Sequence, residues 1–523
     1  MATAASQANG RPAADRAGAG RSAAGVEHVD VLIIGAGLSG IGAAHHIQAR
    51  FPGKSYLILE ARDAIGGTWD LFRYPGVRSD SDMQTLGYRF RPWTQAEAIA
   101  DGPSILSYVR ATATEAGIDK HVRFGHRVTS ASWSTADARW TVQAAFGEDG
   151  EPVRFTCGFL YGCSGYYRYD QGYSPPFEGA ERFAGQIIHP QHWPEDLDYA
   201  GKRIVVIGSG ATAVTLVPAL TDQAEHVTML QRSPTYILSI PGKDPIANRL
   251  RKLLGNRASY PVTRWKNVVL ATTIFQLSRR RPELVKKLLR AGLKRQLPPD
   301  YDIDTHFKPR YNPWDQRLCL VPDGDLFKAL SAGRASVATG QVKTFTETGI
   351  DLASGEHLDA DIIVTATGLN LLLFGGMTLS VDGQPVVAPQ TMAYKGMMLS
   401  GVPNFAFTVG YTNASWTLKA DLVSEYVCRL LAHMDARGYR QCVPVDDDPT
   451  IIRRPLLDFM AGYVLRSVDQ LPKTGSKAPW RLGMNYAQDV ITLRYRRIGD
   501  SVMRFSGPAP ARPQPVADLH PVG

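Results

Sequence analysis

The stretch IIGAGLSG sets Gly35, Gly37 and Gly40 at the spacing G-x-G-x-x-G, with Ser39 in the same turn. An apolar run precedes it and a helix-like stretch follows. In that setting the first glycine permits a tight turn, the second lets backbone approach a pyrophosphate, and the third allows close helix packing. Glu60 ends the next apolar run, twenty residues after Gly40, where a carboxylate binds ribose hydroxyls. The pattern returns in RIVVIGSGATAV as G-x-G-x-x-A: Gly208, Gly210 and Ala213, with Ser209, Ala211, Thr212 and Val214 filling the turn and helix start. Where an acid would read a free ribose, this second unit has Gln231, Arg232 and Ser233. A cation and a hydroxyl suit a 2′-phosphate; the alternative for Arg232 is a surface arginine at a strand end. Two cradles of opposite ribose chemistry call for two dinucleotides, FAD at the first and NADPH at the second, with hydride passing between them across a cleft.

Such cradles must be held by strand, turn, helix and strand, and residues 28–61 and 201–234 both read that way. The run DADIIVTATGLN, residues 359–370, reads as a strand closing this kind of fold. The expected class is α/β, with two Rossmann-like dinucleotide-binding domains and a helical insertion. Residues 28–165 with 371–495 are assigned to the FAD domain, and 166–240 with 301–370 to the NADP domain. Residues 241–300 form a basic helical insertion, and 1–27 and 496–523 are expected to be disordered tails. A chain of 523 residues is too long for a single core.

Five cysteines form no C-x-x-C pair, which argues against a zinc ribbon or dithiol centre; no metal is expected, and a reducing, cytoplasmic setting fits. No apolar run reaches the roughly 20 residues of a membrane span. The net charge of +9 is concentrated: residues 241–300 carry fifteen Lys and Arg against three acids, a net of +12, so the rest of the chain is slightly acidic. Leu and Val at helical spacing accompany that charge. The segment reads either as a solvated helical face or as a peripheral contact with an anionic membrane. Nucleic acid is disfavoured, since no recognition motif or interleaved aromatics accompany the charge.

Two longer motifs carry a resemblance. FAGQIIHPQHWP fits F-x-G-x-x-x-H-x-x-x-W-P through Phe183, Gly185, His189, Trp193 and Pro194. GGTWDLFRYPGVRSD fits G-G-x-W-x-x-x-x-Y-P-G-x-x-x-D from Gly66 to Asp80. Together they resemble the fingerprints of type I Baeyer–Villiger monooxygenases, class B flavoprotein monooxygenases. Runs such as YNPWDQRLCLVPDGDLFKAL and YTNASWTLKADLVSEYVCRLL look like the ethionamide-activating subgroup. The likeness extends from about residue 28 to 495.

The resemblance implies a reaction in which NADPH reduces FAD, O₂ adds to give a C4a-peroxyflavin, and a small-molecule ketone becomes an ester or lactone. The same resemblance implies sulfides or thioamides as further substrates, and an S- or N-oxygenating flavin monooxygenase is the alternative. The negative charge that develops needs a fixed cation, and Arg317 in NPWDQRLCL matches the family's catalytic arginine, with a surface ion pair as its other reading. Asp80 would pair with it and sit by the flavin, unless SDSDM merely caps a helix. Arg78 and Ser79 would face the NADP phosphates. Thr68, Trp69, Asp70 and Leu71 would run along FAD, and Val128 would lend backbone to its adenine. His189 tempts as a base, but the reaction asks for a cation-held anion, and a histidine between domains more often holds loops in register.

Overall fold

The computed structural model describes residues 26–316, 318–457 and 460–507. The chain begins with β1 (Glu27–Ile34), α1 (Leu38–Arg50) and β2 (Tyr56–Leu59). β1 lies between two parallel neighbours, β2 on one side and β3 (Glu151–Gly162) on the other, with Ile34 opposite both Leu59 and Gly162. VLII and YLIL are buried on both faces, as parallel strands covered from both sides must be. β3 continues through an antiparallel ribbon, His126–Ser134 and Arg139–Phe146, into the same nine-stranded sheet.

The second unit repeats the plan with β4 (Arg203–Ile207), α2 (Ala211–Leu220) and β5 (His226–Gln231). A parallel pair, Ile237–Ile240 with Cys319–Pro322, then brackets two helices: α3 (Pro245–Arg280), kinked at Gly255 with φ 72°, and α4 (Pro282–Lys294). β6 (Ile362–Val364) sits between β4 and Gln186–Ile188 in a five-stranded, all-parallel sheet. The chain then returns to the first sheet through Thr378–Val381 and Phe405–Phe407 and lays α5 (Trp416–Asp435) against α1.

The two crossings between sheets are bonded to each other. Arg168 N–H donates to Asn370 O at 2.9 Å, Tyr173 N–H to Gly368 O at 3.0 Å, and Leu372 N–H to Tyr166 O at 2.9 Å. All five cysteines are free and buried. Among the described residues no helix is long and apolar enough to cross a membrane.

The start of the expected C-terminal tail is ordered. Met503–Ser506 pairs antiparallel with Gln441–Pro444, and Phe505 stacks on Tyr439 at 5.1 Å. An open strand edge and an aromatic partner thus hold a stretch whose composition alone suggested a tail. Residues 1–25 and 508–523 lie outside the described residues.

Candidate active site

A cleft of about 730 Å³ opens where β1 and β2 end and runs between the two glycine turns. The turns are built alike. In each the first glycine N–H donates to the neighbouring strand, Gly35 to Leu59 O and Gly208 to Leu230 O, both at 2.8 Å. Each has positive φ, +102° and +139°. A Cβ would fall 2.8 Å from Cys163 O in the first and 2.3 Å from Ala366 O in the second, so only glycine fits. α1 and α2 start at Gly37 and Gly210 with no side-chain cap among the described residues, leaving backbone N–H groups for an anion. Glu60 is buried; its carboxylate accepts from Ala36 N–H at 2.6 Å and Arg62 N–H at 2.9 Å. Burial nevertheless pushes its pKa above the ordinary value.

Of the residues expected at the first cofactor, Gly35, Gly37, Ser39, Glu60, Thr68, Trp69 and Val128 line the cleft. Ser39 Oγ accepts from the Trp416 indole at 2.7 Å, and the Thr68 hydroxyl meets Tyr169 at 3.1 Å. Gly40 instead packs inward, where a Cβ would strike Gly35 O. Asp70 and Leu71 are not on the lining. The Asp70 side chain is 1% exposed and binds Arg62 at 2.5 Å and Arg110 at 2.7 Å, so it is a structural hub.

At the second cradle Ala211 and Thr212 reach the cleft, whereas Gly208, Ser209, Gly210, Ala213 and Val214 form the turn and helix behind it. Gly210 faces open space. Ser209 Oγ lies 2.7 Å from the Thr235 hydroxyl, which brings the segment after β5 against the turn. Arg232 and Ser233 are exposed on that segment, and Arg232 makes no ion pair among the described residues. Arg78 and Ser79 line the cleft, but Arg78 gives its guanidinium to Asp325 and Ser79 bonds Ser81 O at 2.5 Å. Neither points freely at a phosphate.

Asp80 lines the cleft, and the helix cap belongs to its neighbour Asp82, whose carboxylate accepts from Thr85 N–H at 3.0 Å. Arg317 lies outside the described residues; Leu318, Cys319 and Leu320, directly after it, line the cleft.

The two fingerprints acquire physical roles. The first spans both cradles: a Cβ on Gly67 would lie 3.0 Å from Gly37 Cα, and one on Gly76 would lie 2.7 Å from Ala219 Cβ on α2. In the second, the His189 ring sits between Gly368 O, 3.1 Å from Nε2, and Gln191 N–H, 3.2 Å from Nδ1. Nε2 therefore donates and Nδ1 accepts in a neutral ring, and burial holds the pKa below its ordinary value. Gln191, which no motif position marked, donates to both Arg168 O and Tyr169 O at 2.8 Å. Also missed were the cleft-lining aromatics Tyr166, Tyr411 and Trp416. Their distance from either cradle in sequence gave no signal.

The flavin-binding monooxygenase-like family matches residues 99–377, and an NAD(P)-binding Rossmann-like domain matches residues 33–98. The FAD-containing monooxygenase EthA of Mycobacterium tuberculosis is 59% identical over 94% of this chain and 99% of its own. The chain belongs to the flavin-binding monooxygenase-like family. EthA of Mycolicibacterium smegmatis is 58% identical over 92% of this chain and 97% of its own. The probable FAD-binding monooxygenase AlmA of Acinetobacter baylyi is 49% identical over 92% and 96%. An oxidized steroid monooxygenase bound to NADP shares the fold of this monooxygenase at TM-score 0.71, with 22% identity over 92% of this chain and 100% of its own. The cyclohexanone monooxygenase from Rhodococcus sp. Phi1 bound to NADP⁺ aligns at 0.68, with 21% identity over 81% and 87%. The chain thus joins an NAD(P)-binding Rossmann-like domain to a flavin-binding monooxygenase-like one, and its two glycine turns and shared cleft suit two dinucleotides.

Proposed function

We propose that this monooxygenase is a Baeyer–Villiger enzyme that uses NADPH and O₂ to convert ketones into esters or lactones and oxidises sulfides or thioamides in the same cleft. FAD reduced by NADPH would supply the electrons that activate O₂, from which the inserted oxygen atom comes. The observation that carries the reading is one cleft lined at once by both cradles, by Asp80 and by Leu318, the residue after Arg317. Gly35, Gly37, Ser39 and Glu60 hold FAD, with Thr68 and Trp69 along it and Val128 toward the adenine. Ala211, Thr212, Arg232 and Ser233 take NADPH. Arg317 is the fixed cation for the negative charge that develops on the reacting oxygen, because a guanidinium keeps its proton through turnover. Asp80 orients it and sets the local proton affinity.

Products formed from a cyclic ketone and from a thioether under NADPH test this. Ester or lactone from the ketone is expected; sulfoxide without ester from any ketone assigns the protein to the S- or N-oxygenating alternative. Arg317→Ala should keep anaerobic bleaching of the flavin by NADPH while losing about 10²–10³-fold in ester formation, the range for removing one charge-stabilising donor. Full ester formation in that variant would remove Arg317 from the chemistry.

Residues 241–300 make a peripheral contact with an anionic membrane surface in this reading, from the cytoplasmic side. The support is their net charge of +12 together with exposed Leu253, Val262, Trp265 and Val269, a composition suited to a lipid headgroup boundary.

A further inference from the structure

Resting on that bilayer contact, we propose that the enzyme takes its ketone or thioether from the lipid phase, with α3 as the wall that joins bilayer to cleft. The helix is inside out. Its buried side is mostly polar, with Ser259, Thr263, Arg264, Asn267 and Ser278 beside Ala247, Tyr260 and Val268, while its solvent side carries Val262, Trp265, Val269, Leu270 and Leu277, each between 37% and 58% exposed. A surface helix ordinarily turns its apolar stripe to the core, and a continuous exposed apolar face marks an interaction site. Leu253 and Leu254 before the kink, and Leu284 and Leu288 on α4, extend it.

Exposed Arg257, Arg280, Arg281 and Lys287 frame this face. A second copy docking through the same surface would set a net +12 against +12, whereas anionic headgroups complement it. Tryptophan and long basic side chains also suit the boundary, where an apolar body is buried and a polar tip stays wet.

The inner face of α3 backs both loops that carry the proposed chemistry. Asn267 Nδ2 donates to Asp82 Oδ1 at 2.7 Å, and Arg264 donates to Gln84 O at 2.9 Å and Gly87 O at 2.7 Å. These bonds fix the turn that follows Asp80, of which Ser81 and Leu86 line the cleft. Toward the other end, Arg279 holds Asp315 at 2.7 Å and Phe275 packs on Trp314 at 5.6 Å, just before Arg317. One helix therefore separates the proposed lipid surface from the walls of the cleft. Substrates that partition into a bilayer, long-chain ketones and thioethers, would pass its edge without crossing bulk water.

The test uses the full-length holoenzyme with phosphatidylcholine vesicles, with and without phosphatidylglycerol. NADPH consumption and product are followed for a long-chain methyl ketone against butanone, and for matching thioethers. Sedimentation with the anionic vesicles, reversed by salt, and a several-fold gain in kcat/KM for the long-chain substrates alone are expected. A V262S/V269S/L277S variant that retains its FAD should lose both effects and leave butanone turnover unchanged. Vesicle binding without a rate gain overturns lipid-phase supply and leaves the membrane contact standing; no binding overturns both. A dimer in lipid-free buffer that the triple variant dissociates gives the face to a second copy and also overturns the proposal. Sulfoxide formation without ester in the same assay would displace the Baeyer–Villiger reading while leaving the lipid-phase comparison intact.

Discussion

Three arginines converge on Asp70. Arg62 and Arg110 bind it at 2.5 and 2.7 Å and Arg73 lies at 3.4 Å, around a carboxylate that is 1% exposed. Its place after GGTW suggested a flavin ligand, because sequence spacing gives no sign that Arg110, forty residues on in the helix Gly102–Glu115, folds back over it. Deleting the buried carboxylate leaves arginines that are 27–50% exposed and can turn to water, so the cost is about 1–3 kcal/mol. Asp70→Ala should lower the denaturant stability of the holoprotein by that order, and a loss below about 0.5 kcal/mol would show that the hub carries no such energy. Asp80 should behave oppositely. It is exposed to the cleft and Asp82 supplies the cap, so Asp80→Ala should cost under about 1 kcal/mol of stability. Product formation should nevertheless fall by about 10²-fold while flavin reduction by NADPH persists; product analysis beside anaerobic bleaching separates the two. Gly35 and Gly208 were legible at this scale because positive φ and close approach admit nothing else there. The guanidinium of Arg78 was not, since its partner Asp325 lies 247 residues away.

At the level of elements, each cradle was readable because strand, turn and helix are adjacent in sequence and every part of the signal is local. The fingerprint beginning at Gly66 was readable as a pattern but not as a device. Its function is to touch both cradles, and that contact is tertiary. Gly76 has φ +74° and lies against α2, where a Cβ would meet Ala219 at 2.7 Å and Thr215 O at 3.0 Å. Gly76→Ala therefore both strains the turn and pushes the helix that carries the second cradle. The strain costs about 1–3 kcal/mol. If about 1.4 kcal/mol of the displacement falls on the bound dinucleotide, KM for NADPH rises about tenfold, with FAD content unchanged. Steady-state NADPH titration of the FAD-loaded variant checks this; unchanged KM with lost FAD would assign Gly76 to the first cradle instead. α3 shows the converse limit. Helical spacing announced the helix, yet only the packed structure shows that most of its buried side is polar.

Across the whole molecule, the two sheets are joined by two crossing segments, and the F-x-G-x-x-x-H motif fastens those segments to each other. His189 reaches Gly368 on one crossing, and Gln191 holds Arg168 and Tyr169 on the other. A motif first suggestive of catalysis thereby clamps the two segments that cross between the sheets. Burial depresses the His189 pKa below its ordinary 6.5, so the unfolded chain takes up a proton more readily than the native one. The contribution to stability is full above about pH 6.5 and is lost as pH falls through the lower native value. In structural terms, protonation would set a second N–H against the Gln191 N–H that Nδ1 now accepts. The thermal midpoint of the holoenzyme should fall with acidification below pH 6.5, and His189→Gln should flatten that slope; an unchanged slope would place the titration elsewhere. Gln191→Ala should loosen this clamp at any pH. It strands two carbonyls that the side-chain amide now satisfies, at about 1–3 kcal/mol for each one left buried without a partner. A looser clamp still allows flavin reduction but no longer holds the cleft closed against water while oxygen transfer proceeds. NADPH oxidation should then continue with hydrogen peroxide released at the expense of ester, and proteolysis between residues 166 and 173 should quicken. Tight coupling retained in the variant would mean that the interface between the sheets, rather than the clamp, holds the domains in register.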